Sequence, residues 1–202
     1  MDAADFFATH LARNPVLGIF RGLDPQATVD MCVRAWDFGV ELVEVPVQTP
    51  DAMPSLRAAV EAAAERGRSV GAGTVTTVDQ LAAVREIGAE FTVAPGLHPE
   101  VVTESQRLGL PHLPGVATAT EIAAALAQGC AWLKAFPAKQ LGPGWITAQL
   151  APFPSVSFVA TGGIDARNAG EFLAAGCRGV AVGSALANPD ALAELKQAVS
   201  VS

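Results

Sequence analysis

The chain has 202 residues, half of them hydrophobic and 16% charged, which allows one substantial core and excludes a disordered, highly charged polymer. A formal net charge of −7 with no basic block excludes a nucleic-acid partner and attraction to an anionic membrane surface. The opening stretch MDAADFFATHLARNPV carries acids where a signal peptide would carry bases, and the apolar runs break short of a membrane span, so no membrane role is expected. Cys32, Cys130 and Cys177 are odd in number and match no metal-ligand spacing. They read as buried thiols of a cytoplasmic protein.

A first helix is expected over about residues 2–13. Thereafter one rhythm repeats: a short β-branched run, a turn rich in Gly, Pro or Thr, then an Ala-rich amphipathic stretch. The strands fall at 16–20, 41–47, 69–73, 91–94, 110–113, 131–136, 157–160 and 179–182. The helices fall at 25–38, 52–66, 77–88, 99–108, 118–128, 166–175 and 189–200, with a short further one near 145–150. The strands are near-continuous apolar runs, as parallel strands covered by helices require. Eight such units predict a single-domain α/β fold over 1–202, a (β/α)8 TIM barrel that is short against a typical length of about 250 residues. A doubly wound open sheet would satisfy the same alternation. The first helix would cap the bottom of a barrel.

Barrel chemistry sits at the C-terminal ends of the strands. The residues that interrupt or end the apolar runs there are Arg21, Glu44, Gln48, Gly73, Thr74, Pro95, Lys134, Thr161, Gly162, Gly163, Gly183 and Ser184. Lys134, one of three lysines, stands in AWLKAFPA. Loss of hydration favours a neutral amine, which can attack a ketone if its usual pKa of about 10.4 falls. The alternative is a strand-end lysine paired with an acid for structure. In ELVEVPV, period two sets Leu42, Glu44 and Pro46 on one face and Val43, Val45 and Val47 on the other. The valines suit the helix side, so Glu44 would point inward near Lys134 as a proton shuttle, or as a merely structural partner. Glu41 has the wrong parity, and Pro46 marks a strand end or a bulge.

ATGGIDARN and AVGSALAN each follow a late strand and precede a helix. Backbone N–H groups of Gly162, Gly163 and Ser184, with the Ser184 hydroxyl, fit a phosphate there, although either loop alone is also an ordinary tight turn. GAGTV lets a ligand approach the backbone and offers the Thr74 hydroxyl to a carboxylate, or is simply a βα turn. His10, His98 and His112 form no metal or triad pattern. Asp165 and Asn168 read as first-turn and capping residues.

Taken in order, EVPVQT, GAGTV, FTVAPGLHPEVV, LPGVATATE, LKAFPA, APFPSVSF, ATGGI and VGSAL resemble the 2-keto-3-deoxy-6-phosphogluconate (KDPG), 2-keto-3-deoxy-6-phosphogalactonate and 4-hydroxy-2-oxoglutarate aldolases, across about residues 15–187. The resemblance implies a small (β/α)8 barrel, usually a homotrimer. It implies a class I aldolase, without cofactor or metal, that cleaves a phosphorylated keto sugar acid to pyruvate and glyceraldehyde 3-phosphate. The Schiff-base lysine of KxFPA falls on Lys134 and the acid/base glutamate on Glu44. Thr74 would hold the pyruvyl carboxylate, Pro95 line the pocket, and Thr161–Gly163 with Gly183–Ser184 hold the phosphate. Where many phosphogluconate enzymes carry arginine, this chain has Gln48. With Pro46 and IFRG, Gln48 resembles the phosphogalactonate branch, and Arg21 would supply the missing charge, while Thr161 resembles the other branch. Two further readings fit the glycine loops: a phosphate-binding isomerase or synthase without a covalent amine, and a non-catalytic binder of phosphorylated sugar acids.

Overall fold

The structure is a computed structural model that describes residues 3–183 and 189–200. Nine parallel strands form one sheet: β1 (Val16–Ile19), β2 (Leu42–Pro46), β3 (Ser69–Gly73), β4 (Phe91–Val93), β5 (His112–Leu113), β6 (Gly115–Val116), β7 (Trp132–Ala135), β8 (Ser157–Thr161) and β9 (Gly179–Val182). Their order is β5-β4-β3-β2-β1-β9-β8-β7-β6. The two ends of this list are consecutive in the chain. The expected fifth strand is therefore two half-strands broken at Pro114, which has no N–H for a ladder. β5 pairs with β4 and β6 pairs with β7, so the sheet comes round on itself as a nearly closed barrel. An open doubly wound sheet would leave its ends apart, and that alternative falls.

Helices α1 (Ala3–Arg13), α2 (Pro25–Asp37), α3 (Met53–Arg66), α4 (Val78–Ile87), α5 (Pro99–Leu108), α6 (Ala119–Ala127), α7 (Ala138–Leu141), α8 (Pro143–Leu150), α9 (Ala169–Ala174) and α10 (Pro189–Ser200) surround the strands. None is long and apolar enough to cross a membrane among the described residues. The starts follow sequence signals. Asp24 caps α2 by accepting the Ala27 N–H, and Thr77 with Gln80 forms a capping box on α4. α9 is shorter than the expected 166–175. Asn168 makes no side-chain cap. Its amide oxygen instead accepts the Asp165 N–H at 2.9 Å and its Nδ2 donates to the Gly163 carbonyl at 3.0 Å, while Asp165 pairs with Arg167. Short polar side chains bonded to local backbone hold a turn where a helix would otherwise begin.

Two apolar clusters divide by strand parity. Val43, Val45, Val70, Ala72, Leu133, Phe158 and Val180 pack outward with Leu56, Leu81, Ile122 and Phe172 of the helices. Leu17, Leu42, Phe91, Val93, Leu113, Val159 and Ala181 fill the barrel together with Phe6, Phe7 and Leu11 of α1. Phe7 meets the Phe91 ring edge-on at 5.9 Å and lies 6.1 Å from Trp132, so α1 plugs the barrel's N-terminal end. The interior is narrow: a Cβ on Gly71 would overlap the Phe91 ring. Phe7→Ala should lower stability by about 3–5 kcal/mol, read as a drop in the urea midpoint. A loss below about 1 kcal/mol would show that the plug contributes little.

Candidate active site

The inward parity that fills the lower barrel with apolar side chains continues to its C-terminal mouth, where the side chains become polar. On β2, two residues above Leu42, comes Glu44, which is 1% exposed. On β7, two residues above Trp132, comes Lys134, which is 4% exposed. On β8, above Val159, comes Thr161, 3% exposed. A glycine gives Glu44 room: a Cβ on Gly73 would come within 2.8 Å of its Oε1. Lys134 is in register with Gly115. Pro46 ends β2 beside Gly73.

Burial governs the electrostatics of the pair. Desolvation pushes the Glu44 carboxyl up from its ordinary range, against the opposing pull of Lys134 and Arg21. Desolvation also pushes the Lys134 ammonium down, against the opposing effect of Glu44, and the positive charge of Arg21 pushes it further the same way. Both groups move toward their neutral forms, so loss of water outweighs their attraction. Among the described residues no ion pair within 4.0 Å involves either group. Glu44 Oε2 is buried without a hydrogen-bond partner. Such an orphan oxygen is costly unless something else occupies the site. The Lys134 Nζ lies 5.1 Å from the centre of the Phe136 ring.

A cavity of about 720 Å³ opens above the amine. Lys134, Arg21, Thr161, Gly162, Gly163 and Gly183 all line it. Arg21 is exposed at the rim. Gly162 and Gly163 have φ of +99° and +72°, conformations that glycine adopts without strain. Their peptide groups are oriented by bonds to their carbonyls, from the Lys139 N–H and from Asn168 Nδ2. The expected helix N-terminus at this loop is displaced, since α9 starts only at Ala169. Ser184 lies outside the described residues. Thr74 follows β3 with φ +62°, in the left-handed region that a β-branched residue seldom enters. Strain of this kind persists where function fixes it.

Glu44 and Thr74 do not line this cavity, and two more expected residues stand apart from it. Gln48 is exposed and faces a smaller neighbouring cavity of about 330 Å³, with Pro46, Thr49 and Ser55. Strand alternation would aim it inward after the outward-facing Val47, but β2 ends at Pro46, so the alternation no longer governs its direction. Pro95 is half-buried past the end of β4 and does not line the large cavity; its carbonyl fills the space where a Gly115 side chain would be. Conversely, sequence reading missed Phe136. Its ring lies beneath the amine and beside Gly162, where a Cβ would come within 3.1 Å. Its spacing of two from Lys134 was the signal, because that gives it the same inward parity. The thiols offer no nucleophile: burial pushes Cys32 and Cys177 up to about 12 and Cys130 to about 11. His112 is buried against Thr92 Oγ1 at 2.8 Å, and desolvation lowers it to about 4.

The model of the family described as KDPG and KHG aldolase matches residues 8–199. The chain belongs to this family. It is 36% identical over 176 residues to a probable 2-dehydro-3-deoxy-6-phosphogalactonate aldolase of Rhizobium meliloti, covering 87% of this chain and 82% of that one. A solved structure described as native KDPGal is 32% identical, with TM-score 0.85 over 93% of this chain and 95% of the other. The KDPG aldolase of Legionella pneumophila, solved with pyruvate captured as a covalent carbinolamine, is 28% identical, with TM-score 0.82 over 96% and 97% of the two chains. The expected fold and family therefore hold.

The strain at Thr74 is open to test. Thr74→Gly should raise the unfolding midpoint by an amount equivalent to about 1 kcal/mol, through relief of the backbone strain. Calorimetry checks it; a destabilised variant would remove strain from the account.

Proposed function

We propose that this aldolase cleaves a 2-keto-3-deoxy-6-phospho sugar acid to pyruvate and glyceraldehyde 3-phosphate through a Schiff base on Lys134. The observation that carries the reading is a buried amine, pushed toward its neutral form, at the floor of a cavity that also holds Arg21 and the paired glycines. Neutral Lys134 attacks the C2 ketone. The carbinolamine loses water, with the Glu44 carboxyl delivering the proton that leaves with the hydroxyl, directly or through water, and remaining as carboxylate. Its raised pKa lets it act as an acid as well as a base. The iminium accepts the electron pair of the C3–C4 bond as that bond breaks, and the C4 hydroxyl passes its proton to the Glu44 carboxylate as the aldehyde forms. Glu44 then protonates the enamine at C3, and hydrolysis of the resulting iminium returns pyruvate, the free amine and a proton to Glu44. Arg21 and Thr74 hold the carboxylate, and the glycine loops at 161–163 and 183–184 hold the phosphate.

The two C4 epimers and unphosphorylated 4-hydroxy-2-oxoglutarate are the substrates to compare, with the phosphorylated pair expected to have the larger kcat/KM. The same reading takes the whole of 1–202 as one domain of a cytoplasmic protein, on the length, the cysteines and the opening stretch, and the working form as a homotrimer, on the sequence resemblance. Light scattering tests the trimer.

Borohydride with pyruvate should label Lys134 and neither Lys139 nor Lys196, as seen by peptide mass spectrometry. Lys134→Ala should abolish both label and turnover. An active Lys134→Ala enzyme, or absence of any adduct in the native protein, would instead favour an isomerase or synthase. Glu44→Gln should reduce kcat by about 10²–10⁴-fold, the range of general acid–base catalysis, while leaving some adduct trappable. Because attack needs the unprotonated amine, kcat/KM should rise with pH through the pKa of Lys134. Its lowered value puts that limb below the ordinary lysine range near 10.5.

A further inference from the structure

The role assigned above to Arg21 needs its guanidinium to stay over the cavity, although the side chain is exposed and lies on a loop. The loop is anchored at both ends. The Phe20 N–H donates to the Glu44 carbonyl at 3.0 Å. At the far end the Asp24 carboxylate accepts the Ala27 N–H at 2.8 Å, and the Thr28 hydroxyl donates to the Asp24 carbonyl at 2.8 Å. Between these points lie Arg21, Gly22 and Leu23. Gly22 has φ +69°, and no heavy atom lies within 4 Å of where its Cβ would be, so packing does not hold it. The Leu23 side chain is 37% exposed, between the two cavities. What fixes the middle of the loop is one bond from another unit of the barrel. Ser55 Oγ, on α3, donates to the Leu23 carbonyl at 2.8 Å, across 32 residues of sequence. Ser55 is only 4% exposed. The Thr28 hydroxyl approaches the same carbonyl only at 3.5 Å, the limit of a useful bond.

We propose that Ser55 is a positioning residue for substrate binding: through the Leu23 carbonyl it holds the β1–α2 loop so that Arg21 receives the carboxylate of the keto acid. Ser55 itself faces the smaller cavity beside Gln48 and does not line the one that contains Lys134. Its effect must therefore travel through the loop. Water entering the smaller cavity could satisfy the Leu23 carbonyl without Ser55, but a water is not fixed to α3 and would not hold the loop in one place.

The inference rests on the Schiff-base reading, and the test separates the two. Ser55→Ala should raise KM, and the pyruvate concentration for half-maximal borohydride trapping, by about 3–10-fold, the range open to one hydrogen bond, with kcat within about twofold. The acid limb of kcat/KM should move to higher pH, because a displaced Arg21 no longer opposes protonation of Lys134. Ser55→Thr, which keeps the hydroxyl, should restore both values. Gly22→Ala disturbs the loop without touching a buried residue, and should reproduce the raised KM and the shifted limb. In an Arg21→Ala background, Ser55→Ala should add little. The proposal is overturned if Ser55→Ala and Gly22→Ala leave KM and the pH profile unchanged, or if Ser55→Ala has its full effect without Arg21. Failure of pyruvate to label Lys134 in the native enzyme would overturn the Schiff-base reading instead.

Discussion

Everything at the mouth of the barrel depends on the removal of water from two ionisable groups of opposite sign. A lysine and a glutamate in contact at a surface would form an ordinary ion pair, both fully charged. Here each is nearly inaccessible and both are displaced toward neutrality. That is the condition in which an amine is nucleophilic and a carboxyl can give up a proton as well as take one. Arg21 biases the balance without being buried. Its charge favours the neutral amine and the ionised carboxylate together.

The barrel supplies that environment by layering. Large apolar side chains and the α1 plug keep the lower interior dry, and glycines at the same parity make space for the polar layer above them. The glycines are as much a part of the site as the charged groups. A methyl at position 73 would sit against the Glu44 carboxylate, and one at 162 against the ring that flanks the amine.

Much of this was legible in the sequence because side-chain direction in a strand has a fixed period of two. Parity alone sent Glu44 inward and the three neighbouring valines outward, and the structure agrees. Lys134 was legible because an isolated lysine in an apolar strand has few explanations. Parity stops being informative once a strand ends, which is why Gln48 and Pro95 fell elsewhere than expected. The division of the fifth strand was hidden because a proline between two short apolar pairs reads equally well as a strand end. The length of α9 was misread because Asp165 and Asn168 suit a cap and a turn equally. The bond from Ser55 to Leu23 has no local signature, since it joins residues that only the packing of two βα units brings together.

The break at Pro114 carries a mechanical consequence. The Pro114 carbonyl accepts the backbone N–H of Lys134 at 2.9 Å, and Val116 accepts that of Phe136 at 3.2 Å. The nucleophile and its aromatic neighbour thus hang on the seam where the cylinder is stitched shut, with only two residues on either side of the gap in the stitching. Where the cylinder closes and where its reactive nitrogen stands are thus the same place, so the seating of the amine depends on how that short join is made.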